Sequence, residues 1–291
     1  MASLRDLKIR IKSIKSTQKI ARAMEMVAAS KMKKAQQQAL AGRPYLSKLR
    51  EVLYNLIYSS EPRLKHAFLD APMRMKGSSK KVGYILVSAD RGLCGAFNAN
   101  IIKTTLEKFS DDGAAGRSVI TVGKKVRQAM QRIGQSIQGD FVNMANSPKF
   151  IDTVGVSEAV VEEYLAGNLD EVYLIYSQFI STATQKPKIE KLLPVEPELD
   201  FTADGPLMKA DYIFEGEKQL LLDELLHRFV DTTVYQAVLE SAASEHSARM
   251  MAMHKAADNA KEIVANLTLE YNKTRQTKIT TQILEIVGGV Q

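Results

Sequence analysis

Residues 222–271 read LDELLHRFVDTTVYQAVLESAASEHSARMMAMHKAADNAKEIVANLTLEY, and the way they repeat decides the fold. Counting in sevens from Leu222 gives Leu222, Phe229, Gln236, Ala243, Met250, Ala257, Val264 and Tyr271. The companion row is Leu225, Thr232, Leu239, His246, Met253, Ala260 and Leu267. Twelve of these fifteen positions are apolar, which is the spacing of a left-handed coiled-coil seam. Neither Gly nor Pro occurs in the 71 residues from 217 to 287, nor anywhere from 1 to 41, so two long helices flank a punctuated middle. As a single helix the C-terminal stretch would reach about 105 Å at about 1.5 Å per residue. A helix of that length needs a partner along its side. Near the other end Leu4, Leu7, Ile11 and Ile14 repeat the spacing. An antiparallel intramolecular coiled coil is the simplest pairing, and homodimerisation through either helix competes with it.

Residues 20–29, IARAMEMVAA, do not fit a two-stranded seam, because apolar side chains lie all round and only Arg22 and Glu25 are charged. A helix of that kind is buried on every side. It either passes through this chain's own core or stands among other subunits; the second is preferred, because the middle of the chain looks self-contained.

That middle reads as α/β. Strands are predicted at Val82–Ser88, Ser118–Val122, Ser136–Val142 and Glu171–Gln178, with amphipathic segments at about 97–109, 123–133 and 154–167. The alternation predicts βαβ units and a largely parallel sheet. Pro187 and Pro194 bracket an extended stretch, Pro187–Val195, expected as an edge strand. Residues 196–210 read as a linker back to the long helix. The expected architecture is therefore α/β plus a long antiparallel coiled coil, with a Rossmann-like domain inserted between the terminal helices. In chain order this divides as 1–75, 76–208 and 209–291.

Charge narrows the partners. The 291-residue chain carries +7, but residues 1–50 hold thirteen Lys or Arg against Asp6 and Glu25, which is +11 and leaves the rest at −4. A basic arm on a mildly acidic body points to an acidic partner: nucleic acid, a membrane surface or an acidic protein loop. No apolar run is long enough to span a membrane, and the start MASLRDLK lacks the apolar core of a secretory signal. Cys94 is the single cysteine, which excludes an internal disulfide and any multi-cysteine metal site.

The clearest candidate for chemistry is SADRGLCGAFNAN, residues 88–100, a glycine turn between a strand and a helix. The dinucleotide fingerprint G-x-G-x-x-G is only half met, by Gly92 and Gly95, with Asp90 where the first glycine belongs. The phosphate loop G-x-x-x-x-G-K-[ST] fails too. Gly123 and Lys124 are present, but Ser118 stands at the first glycine and Lys125 replaces the hydroxyl residue. Tight turns in a ligand-free sheet are the expectation. His66, His227, His246 and His254 show no metal-ligand spacing, and no catalytic residue, cofactor or metal is assigned. At the C-terminus Lys273, Arg275 and Lys278 interleave with Thr274, Gln276, Thr277, Thr280, Thr281 and Gln282. They either complement the helix dipole or form a contact surface.

Three segments carry a resemblance: TQKIARAMEMVAASKMKKAQ (17–36), SADRGLCGAFN (88–98), and ASEHSARMMAMHKAADNA (243–260) with YNKTRQTKITTQILEIVGG (271–289). They closely resemble the γ subunits of F-type ATP synthases, along the whole chain and in order. The resemblance implies a central-stalk rotor. Its coiled coil would stand inside a ring of three α and three β subunits, and its α/β domain would sit at the foot, by the ε subunit and the membrane ring of c subunits. Catalysis would happen on β, so the chain itself would be no enzyme. Residue by residue, Met24 falls on the shaft position near the acidic loop of β, Arg275 and Gln276 on the C-terminal contact pair, and Tyr212 and Glu215 on the foot, where the match is looser.

The cysteine-bearing insertion of chloroplast relatives and a transit peptide are both absent, which implies a bacterial chain without thiol regulation, peripheral on the cytoplasmic face of the membrane. A basic coiled-coil protein that binds nucleic acid or scaffolds a complex is the runner-up. Against it, Tyr45 is the only aromatic among the basic residues of 1–50. A nucleotide-dependent α/β enzyme ranks third.

Overall fold

The computed structural model describes residues 3–58, 64–70, 80–114, 116–144, 148–196, 212, 214 and 216–288. Five helices and five strands are present among them: α1 (Leu4–Tyr58), β1 (Lys81–Val87), α2 (Phe97–Asp111), β2 (Gly116–Val122), α3 (Lys124–Arg132), β3 (Ile137–Phe141), α4 (Phe150–Leu165), β4 (Glu171–Phe179), β5 (Gln185–Leu193) and α5 (Lys218–Gly288). The expected linker 196–210 lies, apart from Glu196, outside the described residues.

The chain forms two compact units, residues 30–248 and residues 1–29 with 249–291. The larger is a three-layer sandwich. Its sheet has the order β3-β2-β1-β4-β5, with β1 parallel to β2 and β4, β2 parallel to β3, and β5 antiparallel at the edge. Side chains alternate along β1. Val82, Tyr84 and Leu86 face Phe109 of α2 and Val126 and Met130 of α3. Ile85 and Val87 face Val156 and Val160 of α4, Leu53 and Leu56 of α1, and Leu222 and Leu226 of α5. Burial on both faces is why the central strands read as nearly continuous apolar runs.

Helix α5 (Lys218–Gly288) matches its Gly- and Pro-free stretch, but α1 runs further than its punctuation implies. Helix α1 passes through Gly42 and Pro44 to Tyr58, although a proline forfeits a helical hydrogen bond. Tertiary packing overrides that local cost, since Leu49, Leu53, Leu56 and Ile57 are buried against the sheet. At the other end Ser3 and Asp6 cap α1 reciprocally, the Asp6 N–H donating to Ser3 Oγ at 3.2 Å and the Ser3 N–H to the Asp6 carboxylate at 3.2 Å.

The helices pair within the chain, so the homodimer alternative is not needed. In the larger unit Gln236 reaches Ala39 and Arg228 reaches Tyr45, an antiparallel register. In the smaller unit Glu25 meets His254. All fifteen seam positions of α5 are buried or half-buried.

Candidate functional site

The glycine turn after β1 lies at the C-terminal edge of the sheet, where strand order reverses between β2 and β4. That switch point is where open α/β sheets bind ligands. Here it is already filled by the protein's own groups. Asp90 Oδ1 accepts the Lys124 N–H (3.2 Å) and Oδ2 the Asn143 N–H (2.9 Å), while Ser88 Oγ accepts the Val126 N–H (3.0 Å). The N-terminus of α3, a ready anion site in other folds, thus holds a carboxylate of its own chain. Asn98 Oδ1 accepts the Ala89 N–H at 3.1 Å, and Ala248 of α5 packs on Ala89, Cys94 and Phe97. Cys94 is buried, with the Asn98 amide donating to its sulfur at 3.1 Å.

The smaller unit presents a surface of a different kind. Along α1, Leu4, Leu7, Ile11, Ile14, Gln18, Ala21, Glu25 and Ala28 are turned inward at alternating steps of three and four. Opposite them Ile20 (58% exposed), Met24 (42%), Met26 (64%) and Val27 (57%) face outward. The apolar stretch 20–29 therefore does not run through this chain's own core. A contiguous apolar collar of that kind marks a contact surface. Below it Arg5, Lys8, Arg10, Lys12, Lys15 and Lys19 are all exposed.

The two charged residues of the stretch join the helices. Arg22 Nη1 pairs with Glu25 Oε2 at 2.9 Å, Glu25 Oε1 lies 3.0 Å from His254 Nδ1, and His254 Nε2 lies 3.3 Å from Asp258.

Helix α5 is wholly exposed from Arg275 to Leu284. Three of the four hydroxyls predicted to share in a contact surface there bond back to the helix itself. Thr277, Thr280 and Thr281 donate to the carbonyls of Lys273, Gln276 and Thr277 at 3.0 to 3.1 Å. What faces outward is Lys273, Arg275 and Lys278, the amides of Gln276 and Gln282, and the apolar Ile279, Ile283 and Leu284.

Of the two foot residues, Glu215 lies outside the described residues. Tyr212 is half-buried and donates its hydroxyl to Glu51 Oε1 at 2.8 Å, while Lys48 Nζ donates to both Glu51 oxygens at 3.0 and 2.8 Å. The hydrogen bond to Glu51, then burial, raises the Tyr212 phenol above its ordinary pKa; the Lys48 ammonium and then Tyr212 hold Glu51 below its own. Sequence reasoning missed this triad, because Tyr212 lies 161 residues from the Glu51 it meets.

Sequence reasoning also missed a buried polar stripe on α5 that includes Glu240, Ser244 and Ser247. One signal was present: the three seam positions that are not apolar, Thr232, Gln236 and His246, all fall in or beside it.

Among known proteins, the ATP synthase family model matches residues 3–291. The ATP synthase gamma chain of Dehalococcoides mccartyi strain BAV1 is 43% identical over 290 residues, covering 99% of this chain and 98% of that one. The gamma chain of Pelotomaculum thermopropionicum is 44% identical over 289 residues, with the same coverage. A solved structure of the Euglena gracilis mitochondrial ATP synthase rotor is similar in fold, with a TM-score of 0.64 at 20% identity over 95% of this chain and 98% of that one. A second Euglena structure, of OSCP, F1 and c-ring, gives a TM-score of 0.67 at 20% identity over 99% of this chain and 93% of that one. With a whole-length family match, identities above 40% over nearly the entire sequence, and the same two long helices around one α/β sheet, this chain belongs to the ATP synthase gamma chain family.

Proposed function

We propose that this chain is the central-stalk rotor of an F-type ATP synthase, coupling ion flow through a membrane ring of c subunits to ATP synthesis or hydrolysis on β. The observation that carries the reading is the helix α1 of the smaller unit. Its inner row is engaged with α5, yet its outer row at Ile20, Met24, Met26 and Val27 is apolar and uncovered. A surrounding ring of subunits supplies the missing cover. The cations of α1 and the end of α5 face acidic segments of that ring, where charge-assisted hydrogen bonds set register between moving surfaces. Met24, Arg275 and Gln276 are the contacts assigned to β; Tyr212 and Glu215 are assigned to the ε subunit or the c-ring.

The chain is non-catalytic in this reading: among the described residues, Asp90 and Ser88 occupy the phosphate-like cradle at the N-terminus of α3. No described helix is long and apolar enough to cross a membrane, and attachment is peripheral, through the c-ring, on the cytoplasmic side. Functionally the chain divides at 1–75, 76–208 and 209–291.

The test is ATP hydrolysis by purified α and β subunits with and without this chain, with the product sized by gel filtration. One copy entering per three αβ pairs, and raising turnover, supports the rotor. A chain that stays outside the complex, or hydrolyses ATP alone, overturns it. Within the assembled complex, replacing Arg275 and Gln276 together by Ala removes one charged and one neutral hydrogen-bonding group. Coupled ATP synthesis should fall about tenfold, the factor for a charge-assisted bond lost, with the yield of assembled complex unchanged. Lost assembly with normal coupling in what assembles would remove both residues from that role.

A further inference from the structure

In the larger unit, helix α5 changes character between Gln236 and Ser247. The segment is buried, yet Gln236, Glu240, Ser241, Ser244, Glu245, His246 and Ser247 are polar. Glu240, Ser244 and Ser247 lie at steps of four and three, on one stripe. That stripe faces the end of β4 and the turn into β5, where it meets backbone carbonyls and, at Ser247 Oγ, the amide of Gln185 (3.3 Å). Ser244 Oγ donates to the Ser177 carbonyl (3.0 Å) and Ser247 Oγ to the Thr182 carbonyl (2.6 Å). Between them Arg43 of α1 bridges the two partners, its Nε donating to Glu240 Oε1 (3.0 Å) and its Nη2 to the Phe179 carbonyl (3.0 Å). Gln236 Nε2 ties the same carboxylate (3.3 Å) to the Ala39 carbonyl of α1 (2.8 Å). A Cβ at Gly42 would stand 2.4 Å from Gln236 Oε1, so the Gln236 amide would have to shift to admit one.

This is a costly way to join a helix to a sheet. The Glu240 side chain is only 6% exposed, and its Oε2 has no hydrogen-bond partner among the described residues. The Arg43 side chain is 42% exposed, so the pair is buried at its carboxylate end only, and there an ionised group seldom improves on well-packed apolar side chains of the same volume. What it adds is direction. Apolar contact is non-directional, so a helix held by it alone turns about its axis more freely than one held by hydrogen bonds, which weaken steeply with angle. Three carbonyls of one hairpin, each held by a donor on the helix pair, oppose rotation as well as sliding.

We infer that Arg43, Glu240, Ser244 and Ser247 form a torsion-resistant joint through which the sheet and the stretches of α1 and α5 that belong to this unit, residues 30–58 and 218–248, turn together. This rests on the rotor reading. Arg43 and Glu240 are positioning residues that act through the backbone of Ser177 to Thr182 and touch no substrate.

The experiment uses the assembled, membrane-bound synthase with two double variants. In the first, Arg43→Met and Glu240→Leu replace the pair by apolar groups of similar shape; in the second, Ser244→Ala and Ser247→Ala remove the other two donors. Thermal melting of the chain, ATP hydrolysis and ions pumped per ATP are read together. The joint predicts near-normal melting and hydrolysis with the pumped ratio down about fivefold, the factor of one lost hydrogen bond. Arg43→Lys, which keeps the charge but cannot span both acceptors, should fall between wild type and the apolar pair. Wild-type pumping ratios in both double variants overturn the joint, and so does a first variant that melts far below wild type, because the pair is then a stability element. Failure of the wild-type chain to support pumping at all would instead overturn the rotor reading.

Discussion

Replacing Gly123 by Ala should lower the unfolding midpoint of the chain by roughly 8 °C, corresponding to about 3 kcal/mol or more. Gly123 links β2 to α3 with φ +100° and ψ 143°, a backbone region that is essentially closed to residues with a Cβ. The added carbon would also stand 2.3 Å from the Ser88 carbonyl oxygen and 2.9 Å from Ser88 Oγ. Ser88 cannot retreat cheaply, because its N–H donates to the Val122 carbonyl at 2.8 Å and its Oγ accepts the Val126 N–H. The Gly123 N–H meanwhile donates to the Phe141 carbonyl at 2.7 Å, so three strands meet at this residue. Gly92→Ala is the control. A Cβ there meets nothing within 4 Å, and its midpoint should stay within about 1 °C of wild type, as ordinary surface substitutions do. Thermal or urea melting of the purified variants decides the matter, and equal losses at the two glycines would sink the argument.

The second large effect is expected at Asp112, at the opposite edge of the sheet. Its side chain is 2% exposed and receives Arg117 Nη2 at 2.9 Å, the Ala114 N–H at 2.9 Å and the Tyr84 hydroxyl. Burial by itself would raise the carboxyl pKa. The hydrogen bonds from Arg117, Tyr84 and Ala114 outweigh it and hold the group below its ordinary 3.8. Burial, then the Asp112 partner, pushes the Tyr84 phenol far up, so this hydroxyl remains a donor throughout the working range. Asp112→Asn should cost about 2–3 kcal/mol at pH 7, as Arg117 and Tyr84 lose a charged acceptor. The sign with pH follows from the depressed folded value. The stabilisation is present above pH 3.8, the unfolded value, and is lost as pH falls through the lower folded one. The gap in melting temperature between wild type and variant should therefore be widest near neutrality and shrink in acid. A gap independent of pH would mean that shape, and not charge, holds the site.

Much of the architecture was legible in the linear sequence. The absence of Gly and Pro over 1–41 and 217–287, with the seven-residue repeat from Leu222, determined two long paired helices, and the alternation of apolar runs with amphipathic segments determined the α/β middle. Both signals are local: they report which side of one element is apolar. The family resemblance, too, lay in short runs such as NKTRQTKITTQ, which need no contact to be recognised.

Tertiary structure decided the rest, because it depends on residues far apart in the chain. Nothing near Gly42 and Pro44 announces that α1 continues to Tyr58; packing against the sheet and α5, supplied by residues as distant in the chain as Leu174 and Leu222, overrides the local cost. Equally, a glycine turn after a strand looks alike whether it is empty or filled. Only the fold brings Asp90 to the N–H of Lys124 and Asn143. The outward turn of Met24 and Met26 depends on which row of α1 the seam of α5 claims. Arg43, Phe179 and Glu240 meet only when three separate elements pack, and a hydrogen bond across 136 or 197 residues leaves no periodicity to read.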